Sequence, residues 1–251
     1  MIAEIAARQH GVIGLSQLVG AGLSSKQVSY RVQRRRLHRI YRGVYAVGHT
    51  VLSREAHWMA AVLACGDGAA LSHRDAAALY ALRPSAATRI DATIDSRNGR
   101  SRRRRIRLHR SPLPAEEVTV VDGIPVTTVA RTLLDLAAVV QMDALKRAIK
   151  QAERLRLFDL TDVRVVLHRS AGRHGAGRLA AALTAHEEPA FTRSDLEDLM
   201  LALSRRHGLP KPLVNPTVSG YEVDFLWSSE RLVVETLKRL LQPEASISST
   251  R

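Results

Sequence analysis

Apolar positions in the first fifty residues follow a helical period up to residue 35 and then alternate with polar positions up to residue 47. Residues that cap helices divide the first part into segments. Three short helices are predicted: one that carries Ile2, Ile5 and Ala6 on one face and ends at Gly11, one over residues 17–21 after Ser16, and one from Ser24 or Ser25 to about Arg35. The alternation around Gly43 predicts a β-hairpin. Three helices followed by a hairpin form a winged helix-turn-helix.

The middle of the chain mixes helical and strand patterns. Helices are predicted over residues 54–64, from a capping-box-like start at Ser72 to near Leu82, from Thr128 or Val129, over residues 142–155 and after Thr161. Strands are predicted over residues 89–95 and 106–109 and in a hairpin over residues 118–126 with an Asp122-Gly123 turn. This order predicts an α/β or α+β domain with its own core.

The last sixty residues begin with a predicted helix over residues 192–207, which Gly208 ends. A hairpin around Ser219-Gly220 follows, and a second turn at residues 228–230 leads into a strand over residues 232–235. The whole chain is therefore expected to be α+β (mixed α/β). We divide it into a winged helix at residues 1–50, a middle domain at 51–190 and a C-terminal segment at 191–251.

The charge is concentrated in two places. The chain carries 38 Lys and Arg against 24 Asp and Glu, a net charge of +14. Residues 1–54 contain nine Lys and Arg and one acid, Glu4, and residues 97–110 contain eight Arg and no acid. This asymmetry favours a polyanionic partner, double-stranded DNA, over a merely solvated basic surface.

The third helix and the hairpin carry side chains suited to DNA. Candidate contacts are Lys26, Gln27, Tyr30, Arg31, Arg34, Arg35, Arg36, Arg39 and Arg42. In a winged helix the recognition helix enters the major groove. There Gln27 can pair with adenine, and Lys26 or Arg31 with guanine. The five remaining arginines are better placed for phosphates, which give affinity without reading sequence. The alternative is a winged helix that binds protein.

The Arg-rich loop over residues 97–105 has two interpretations, a solvated loop or a second phosphate contact. Several enzyme classes are excluded, because Gly172 to Leu179 does not continue as a P-loop and no zinc-protease or Gly-x-Ser-x-Gly motif is present. His73 is interpreted as a helix-start residue. The single cysteine, Cys65, excludes an internal disulfide and is expected to be buried. With no membrane-length apolar stretch and no signal peptide, a cytoplasmic protein is expected.

The N-terminal region resembles the AbiEi family of antitoxins. The resemblance is tight over residues 1–50, above all in Leu37-His-Arg-Ile-Tyr-Arg-Gly-Val-Tyr-Ala-Val47, and looser over residues 70–82 and 125–137. The resemblance implies a DNA-binding autorepressor of a type IV toxin–antitoxin, abortive-infection system. It also implies a partner toxin with nucleotidyltransferase activity.

Two acids near the C-terminus suggest different chemistry. If the second turn centres on Ser229-Glu230, Asp224 and Glu235 face each other across adjacent strands. Opposed carboxylates repel unless a cation lies between them, and Mg²⁺ suits such a pair. A magnesium ion held there could activate water for phosphodiester hydrolysis.

The segment 192–235 resembles the start of a PD-(D/E)XK nuclease of the very-short-patch-repair type. The resemblance implies metal-ligand positions at Asp224 and Glu235, with Glu197 as a third acid on the helix. The sequence then departs from the family, because Leu237 stands where an acid or lysine is usual and Lys238 is one residue out of phase. We interpret the segment as incomplete, from a frameshift or an early end of the gene.

The leading hypothesis is a DNA-binding, antitoxin-like transcriptional regulator whose middle domain neutralises a toxin or mediates oligomerisation. The alternative is a metal-dependent DNA endonuclease, inactive here because it is truncated, and a third hypothesis is a degenerate protein with neither activity. We expect a chain that is not an enzyme, that needs no cofactor unless the nuclease hypothesis brings Mg²⁺, and that has no membrane partner. The oligomeric state, the operator and the toxin are left open.

Overall fold

The N-terminal segment folds as three helices and a three-stranded antiparallel sheet. The computed structural model describes residues 1–95, 105–187, 193–218 and 220–235. The first elements are α1 (Ile2–Ala7), β1 (Val12–Gly14), α2 (Leu15–Gly20), α3 (Ser25–Gln33), β2 (Leu37–Tyr41) and β3 (Val44–Val47). The strand order is β1-β3-β2. The predicted winged helix is therefore confirmed, with a strand, β1, that was too short to show in the pattern.

Local capping explains where these helices begin. Ser24 caps α3, since its Oγ accepts a hydrogen bond from the Gln27 backbone N–H at 3.3 Å. The prediction for α2 was wrong by two residues, because Gly14 and not Ser16 is its N-cap. The Gln17 side chain completes that cap by accepting from the Gly14 N–H at 2.9 Å.

The middle segment is a five-stranded mixed sheet with helices. Its elements are α4 (Arg54–Cys65), β4 (Ala70–Leu71), α5 (His73–Leu79), β5 (Ile90–Ile94), β6 (Ile106–Arg110), β7 (Val118–Val121), β8 (Ile124–Thr127), α6 (Val129–Ala137), α7 (Met142–Arg154), α8 (Leu160–Arg169) and α9 (Ala176–Glu187). The strand order is β6-β5-β4-β8-β7, with β5/β6 and β4/β8 parallel. Asp122 and Gly123 both have positive φ, as the predicted Asp-Gly hairpin turn requires. Strand β4 and helix α9 were not predicted.

Helix α4 packs against both sheets. It contacts β1, β2 and β3 of the winged helix and β4, β5 and β8 of the middle sheet. Val12 and Val44, from strands β1 and β3, are buried in the same apolar core as Trp58 on α4 and Leu71 on β4. A smaller cluster, which includes Ile13, belongs to the winged helix alone.

A second contact joins the winged helix to the middle sheet. The His10 Nε2 lies 2.7 Å from the Asp122 carbonyl oxygen, at the β7–β8 turn. A Cβ at the adjacent Gly123 would lie 2.7 Å from the Arg8 carbonyl oxygen, so only glycine allows this approach. Residues Met1–Leu183 accordingly form one compact unit. The finer division at residue 50 stays a prediction.

The second unit, Thr184–Arg251, contains one long helix and short antiparallel strands. They are α10 (Arg193–Arg206), β9 (Leu213–Val214), β10 (Thr217–Val218), β11 (Tyr221–Glu222), β12 (Phe225–Trp227) and β13 (Leu232–Val234). Both predicted hairpins form, since β10 pairs with β11 and β12 pairs with β13. The predicted cap at Thr192 lies outside the described residues. In the described part of the chain no helix is both long and apolar enough to cross a membrane.

Candidate nucleic-acid interface

The outer side of α3 presents a row of polar side chains. Val28 faces the winged-helix core, which leaves the opposite side of the helix to solvent. Lys26, Ser29, Tyr30 and Gln33 line a shallow depression on that side. Ser29 and Gln33 were not among the predicted contacts. Ser29 lies three positions after Lys26, however, and Gln33 three after Tyr30. This spacing places residues on the same face of a helix. An amide, a hydroxyl and an ammonium on one helix face are suited to base edges.

Tyr30 is the most prominent of these side chains. Its side chain is 54% exposed. The guanidinium of Arg34 lies over its ring, with 5.3 Å between the guanidinium carbon and the ring centroid. This cation–π contact orients Arg34 along the helix surface.

Gln27 has a structural task besides its predicted one. Its side-chain oxygen accepts a hydrogen bond from the Ser24 backbone N–H at 2.8 Å, and this completes a capping box at the start of α3. The amide nitrogen of Gln27 remains as a donor for a base. Its contact with adenine stays a prediction.

The predicted phosphate-binding arginines lie around the end of α3 and on the wing, the β2–β3 hairpin. Arg34, Arg35, Arg36, Arg39 and Arg42 are all exposed, and Arg31 is half-exposed. Arg39 lies within β2, and Arg42 lies in the hairpin turn next to Gly43, whose positive φ forms the turn. The single acid of this region, Glu4, pairs with the amino terminus at 3.2 Å. Cationic side chains therefore dominate the winged-helix surface.

The Arg-rich loop lies between strands β5 and β6 in the sequence. Residues 96–104 lie outside the described part of the chain, so the loop's predicted phosphate contact stays a prediction. Arg105, its last residue, is exposed and lines one cleft together with Ile40 and Tyr41 of the wing strand β2. The C-terminal end of the loop is thus anchored beside the wing.

A buried polar network occupies the middle domain, and sequence patterns did not reveal it. The Trp58 indole N–H and the Asp91 backbone N–H both donate to Asp75, at 3.0 and 2.8 Å. The capping box predicted at Ser72 is wrong, because the Ser72 hydroxyl contacts the His73 ring nitrogen at 2.9 Å and accepts from Thr93 at 2.8 Å. His73 does begin α5.

The two histidines of this network lie on different elements. The His73 ring stacks on His109 of β6 with 3.6 Å between centroids, and His109 Nε2 lies 2.9 Å from Asp91 Oδ1. Burial lowers the pKa of His73 to about 3, and the neighbouring His109 adds to the shift. Burial alone would raise the pKa of Asp91, but the hydrogen bond and charge of His109 lower it below its usual value. The network therefore holds a neutral imidazole beside an ionised carboxylate.

The C-terminal acids take the predicted strand register. Phe225 pairs with Val234 and Trp227 with Leu232, so the same register continued by one residue sets Asp224 opposite Glu235. Glu197 accepts a hydrogen bond from the Asn215 side chain at 3.0 Å. Among the described residues, no group of three His, Cys, Asp or Glu side chains is arranged to hold a metal ion. The metal-binding and catalytic roles of Asp224, Glu235 and Glu197 stay predictions.

Cys65 is half-buried at the end of α4, less enclosed than expected. Helix α4 ends at Gly66, because a residue with a φ of +97° cannot continue the helix.

Comparisons with known proteins give the family. The family model described as "Transcriptional regulator, AbiEi antitoxin" matches residues 1–48. The family model described as "AbiEi antitoxin C-terminal domain" matches residues 62–186. These ranges contain the winged helix and the middle domain, and both end before α10.

One solved structure matches the chain at low identity. The crystal structure of the RV2827C protein from Mycobacterium tuberculosis is 16% identical, with a TM-score of 0.49, over 75% of this chain and 76% of that chain. No curated protein matches the sequence.

The two family matches follow one another along the chain, the transcriptional-regulator model first and the antitoxin C-terminal-domain model after it. Together they cover more than half of the 251 residues. The chain belongs to the AbiEi antitoxin family and is a DNA-binding transcriptional regulator.

Proposed function

We propose that α3 of the regulator lies in the major groove of the operator and contacts base edges there, and that the wing contacts the DNA backbone. The observation that carries this proposal is the polar outer face of α3, formed by Lys26, Ser29, Tyr30 and Gln33. On this view Gln33 and Lys26 read base edges. Tyr30 packs on a sugar or a thymine methyl group, as exposed aromatic side chains do at such interfaces.

The arginines around this face supply affinity. Arg34, Arg35, Arg36, Arg39 and Arg42 contact phosphates, and each contact releases condensed counterions from the duplex. The Arg-rich loop extends the same backbone contact, since Arg105 lies beside the wing. Binding is therefore expected to fall steeply as salt rises.

The test separates base reading from backbone binding. The wild-type chain first selects its preferred duplex from a random library, and the selection is repeated with Gln33→Ala and Arg39→Ala. The Gln33 variant is expected to lose preference at one or two positions, with about 1–3 kcal/mol less discrimination there. The Arg39 variant is expected to keep the same preferred sequence and bind it more weakly. An unchanged preference in Gln33→Ala, Lys26→Ala and Tyr30→Ala alike would contradict this assignment of α3.

We infer that the middle domain neutralises the partner toxin, a nucleotidyltransferase encoded beside the regulator in a type IV system. Support comes from the match of residues 62–186 to a family model that is described as the C-terminal domain of an AbiEi antitoxin. Co-expression of residues 1–187 should rescue cells from that toxin. The Arg39→Ala, Arg42→Ala double variant should rescue as well, because it weakens DNA binding alone. Rescue that needs residues 188–251 would place neutralisation in the C-terminal unit.

We propose that the C-terminal unit does not cleave DNA. Hydrolysis needs a metal ion fixed by several ligands. Here Glu197 accepts a hydrogen bond from Asn215, and within the described ranges of the chain no three acidic, histidine or cysteine side chains are grouped to hold a metal ion. Plasmid and mismatched duplexes incubated with Mg²⁺ or Mn²⁺ should stay intact. Metal-dependent cleavage that disappears in Asp224→Ala would instead establish the nuclease alternative.

A further inference from the structure

A cleft of about 520 Å³ lies where the wing meets the middle domain. Ile40 and Tyr41 of β2 form one side of it, Trp58 of α4 another, and Ile90 at the start of β5 a third. Its size is in the range of small-molecule sites, which are mostly apolar with a few well-placed polar groups. Of the residues that line it, only Arg105 belongs to the Arg-rich loop that is proposed above to contact DNA.

The apolar lining is fixed in place. Trp58 is only 4% exposed, and its indole N–H is already used in the hydrogen bond to Asp75. The indole therefore offers the cleft carbon surface and no free donor. Ile40, Tyr41 and Ile90 are half-buried, so part of each side chain is available to a ligand. Such a lining suits a flat, apolar ring.

Two guanidinium groups give the cleft its charge. Arg54 stacks on the Trp58 ring, with 4.8 Å from the guanidinium carbon to the ring centroid, and donates to the Ser85 carbonyl oxygen. Arg105 is exposed, and its charge acts on the Tyr41 hydroxyl, where it partly offsets the rise in pKa that burial causes. Guanidinium groups bind carboxylates and phosphates through paired N–H donors.

A carboxylate, Asp75, also lines the cleft and is held in place by hydrogen bonds. Both oxygens of Asp75 accept hydrogen bonds, from the Trp58 indole and the Asp91 backbone N–H. Burial raises the pKa of Asp75, and these two hydrogen bonds act in the other direction. Asp75 therefore holds the Trp58 indole in place through a hydrogen bond, and the two arginines give the cleft its positive charge.

We propose that this cleft binds a small anion with a flat aromatic ring, either a nucleoside monophosphate or an aromatic carboxylate. The ring packs on Ile40, Ile90 and the Trp58–Arg54 stack, and the anionic group meets Arg105. Tyr41 immediately precedes Arg42 in the wing turn, so a bound ligand alters the wing and with it DNA affinity. This second step rests on the proposed phosphate contact of Arg42, whereas ligand binding itself does not.

Intrinsic fluorescence reports the binding step. The chain has two tryptophans, so Trp227→Phe leaves Trp58 as the single reporter inside the cleft. The probes are adenosine monophosphate and salicylate, with adenosine and benzyl alcohol as uncharged counterparts. Calorimetry on the unmodified chain repeats each titration, in case the Trp227 variant folds poorly.

One of the two anions is expected to saturate the signal below about 1 mM, and its uncharged counterpart to bind at least about tenfold more weakly. Arg105→Ala should weaken binding by about tenfold, while Arg154→Ala, at an exposed arginine of α7 away from the cleft, should have no effect. Saturation by the nucleotide or by salicylate identifies the ligand class. No saturation by either anion, equal binding of the uncharged compounds, or an unchanged Arg105→Ala variant would overturn the site.

The coupling to DNA is measured separately with a saturating ligand. The dissociation constant for the selected duplex should change in the wild type and stay constant in Arg105→Ala. An unchanged value in the wild type, with the ligand bound, overturns the coupling. Because the ligand titrations contain no DNA, a failure of the DNA assignment leaves their result readable.

Discussion

Arg131, at the start of α6, has no exposed surface, yet all three of its guanidinium nitrogens donate hydrogen bonds. Its Nε donates to Asp135 at 2.9 Å, its Nη1 to Glu117 at 2.5 Å and to the Pro112 carbonyl oxygen, and its Nη2 to the Ser111 hydroxyl. Burial alone would lower the pKa of Arg131, but the two carboxylates raise it above its ordinary value. The guanidinium is therefore the charge that makes burial of both acids tolerable.

Removal of Arg131 should destabilise the protein strongly. Arg131→Leu leaves Glu117 buried without its ion-pair partner and leaves Asp135 with only the Arg173 guanidinium, at 3.3 Å. We expect a loss of about 3–5 kcal/mol in the free energy of unfolding. Arg169→Ala is the matched control, because its ion pair with Glu116 is 48% and 57% exposed and should contribute less than about 1 kcal/mol. Urea denaturation at pH 7 compares them, and similar losses in the two variants would contradict the role given to Arg131.

His73 should make stability depend on pH. Its pKa of about 3 in the folded chain lies below the usual value of 6.5, so below pH 6.5 the unfolded chain takes up a proton that the folded chain does not. The full contribution is present above pH 6.5 and is lost as pH falls towards 3. Between pH 7.5 and pH 5.5 this single group should cost about 1.4 kcal/mol.

The variant His73→Asn isolates this contribution. His73 has a φ of +51°, and asparagine tolerates such a left-handed backbone better than most residues do. Denaturant unfolding at both pH values should show a smaller pH dependence in the variant than in the wild type, by the stated amount. An identical pH dependence in the two chains would mean that His73 is protonated in the folded state.

At the scale of elements, the contact between the N-terminal segment and the β7–β8 turn depends on Gly123. Gly123→Ala would place a Cβ 2.7 Å from the Arg8 carbonyl oxygen. Gly68→Ala is a close control, since Gly68 has a φ of +76° against +75° and nothing within 4 Å of its Cβ position. In both variants the alanine must adopt a left-handed backbone conformation, which lowers the free energy of unfolding by about 1–2 kcal/mol.

The difference in the free energy of unfolding between these two variants measures the cost of bringing the new Cβ of residue 123 against the Arg8 carbonyl oxygen. We expect Gly123→Ala to be less stable than Gly68→Ala by about 2 kcal/mol in thermal or urea unfolding. Equal stability of the two would mean that the N-terminal segment shifts away from the turn without cost.

Elements were predictable from sequence wherever a local signal defines them. A cap at Ser24 or Ser25 predicted the start of α3, where Ser24 is the cap. The Asp122-Gly123 pair predicted a hairpin, and apolar periodicity predicted α4, α6 and α7. Strands β1 and β4 were not predicted, because strands of three and two residues are too short to show an alternation of apolar and polar positions. Pairing across the sheet, such as β5 with β6 in parallel, has no local signal because the partners meet only in the folded chain.

The features of the candidate site were likewise predictable only where they depend on residues close together in the sequence. The basic character of the winged helix and the outer face of α3 follow from sequence, since charge and helical spacing are local properties. The cleft beside the wing does not, because Tyr41, Trp58 and Arg105 come from three distant segments. The buried network is equally hidden, since His73 meets His109 only through the packing of α5 on the sheet.

At the scale of the whole molecule, the winged helix depends on the middle domain for its stability. Val12 and Val44 belong to the core that contains Trp58 and Leu71, so removal of the middle domain exposes them. Residues 1–54 alone should show no cooperative thermal transition by circular dichroism, because so small a segment then lacks enough buried surface. Residues 1–187 should unfold in one transition. Two separate transitions in that longer chain would show that the winged helix folds independently.

The two-sided packing of α4 also sets a rule for engineering. A new operator specificity could be introduced by a chimera that takes residues 1–50 from another regulator. Such a graft would carry β1 and β3 but leave behind their packing surface on α4, together with the Asp122–Gly123 turn that receives Arg8. A functional chimera should therefore exchange surface residues of α3 and the wing, such as Lys26, Tyr30 and Gln33, on the native backbone.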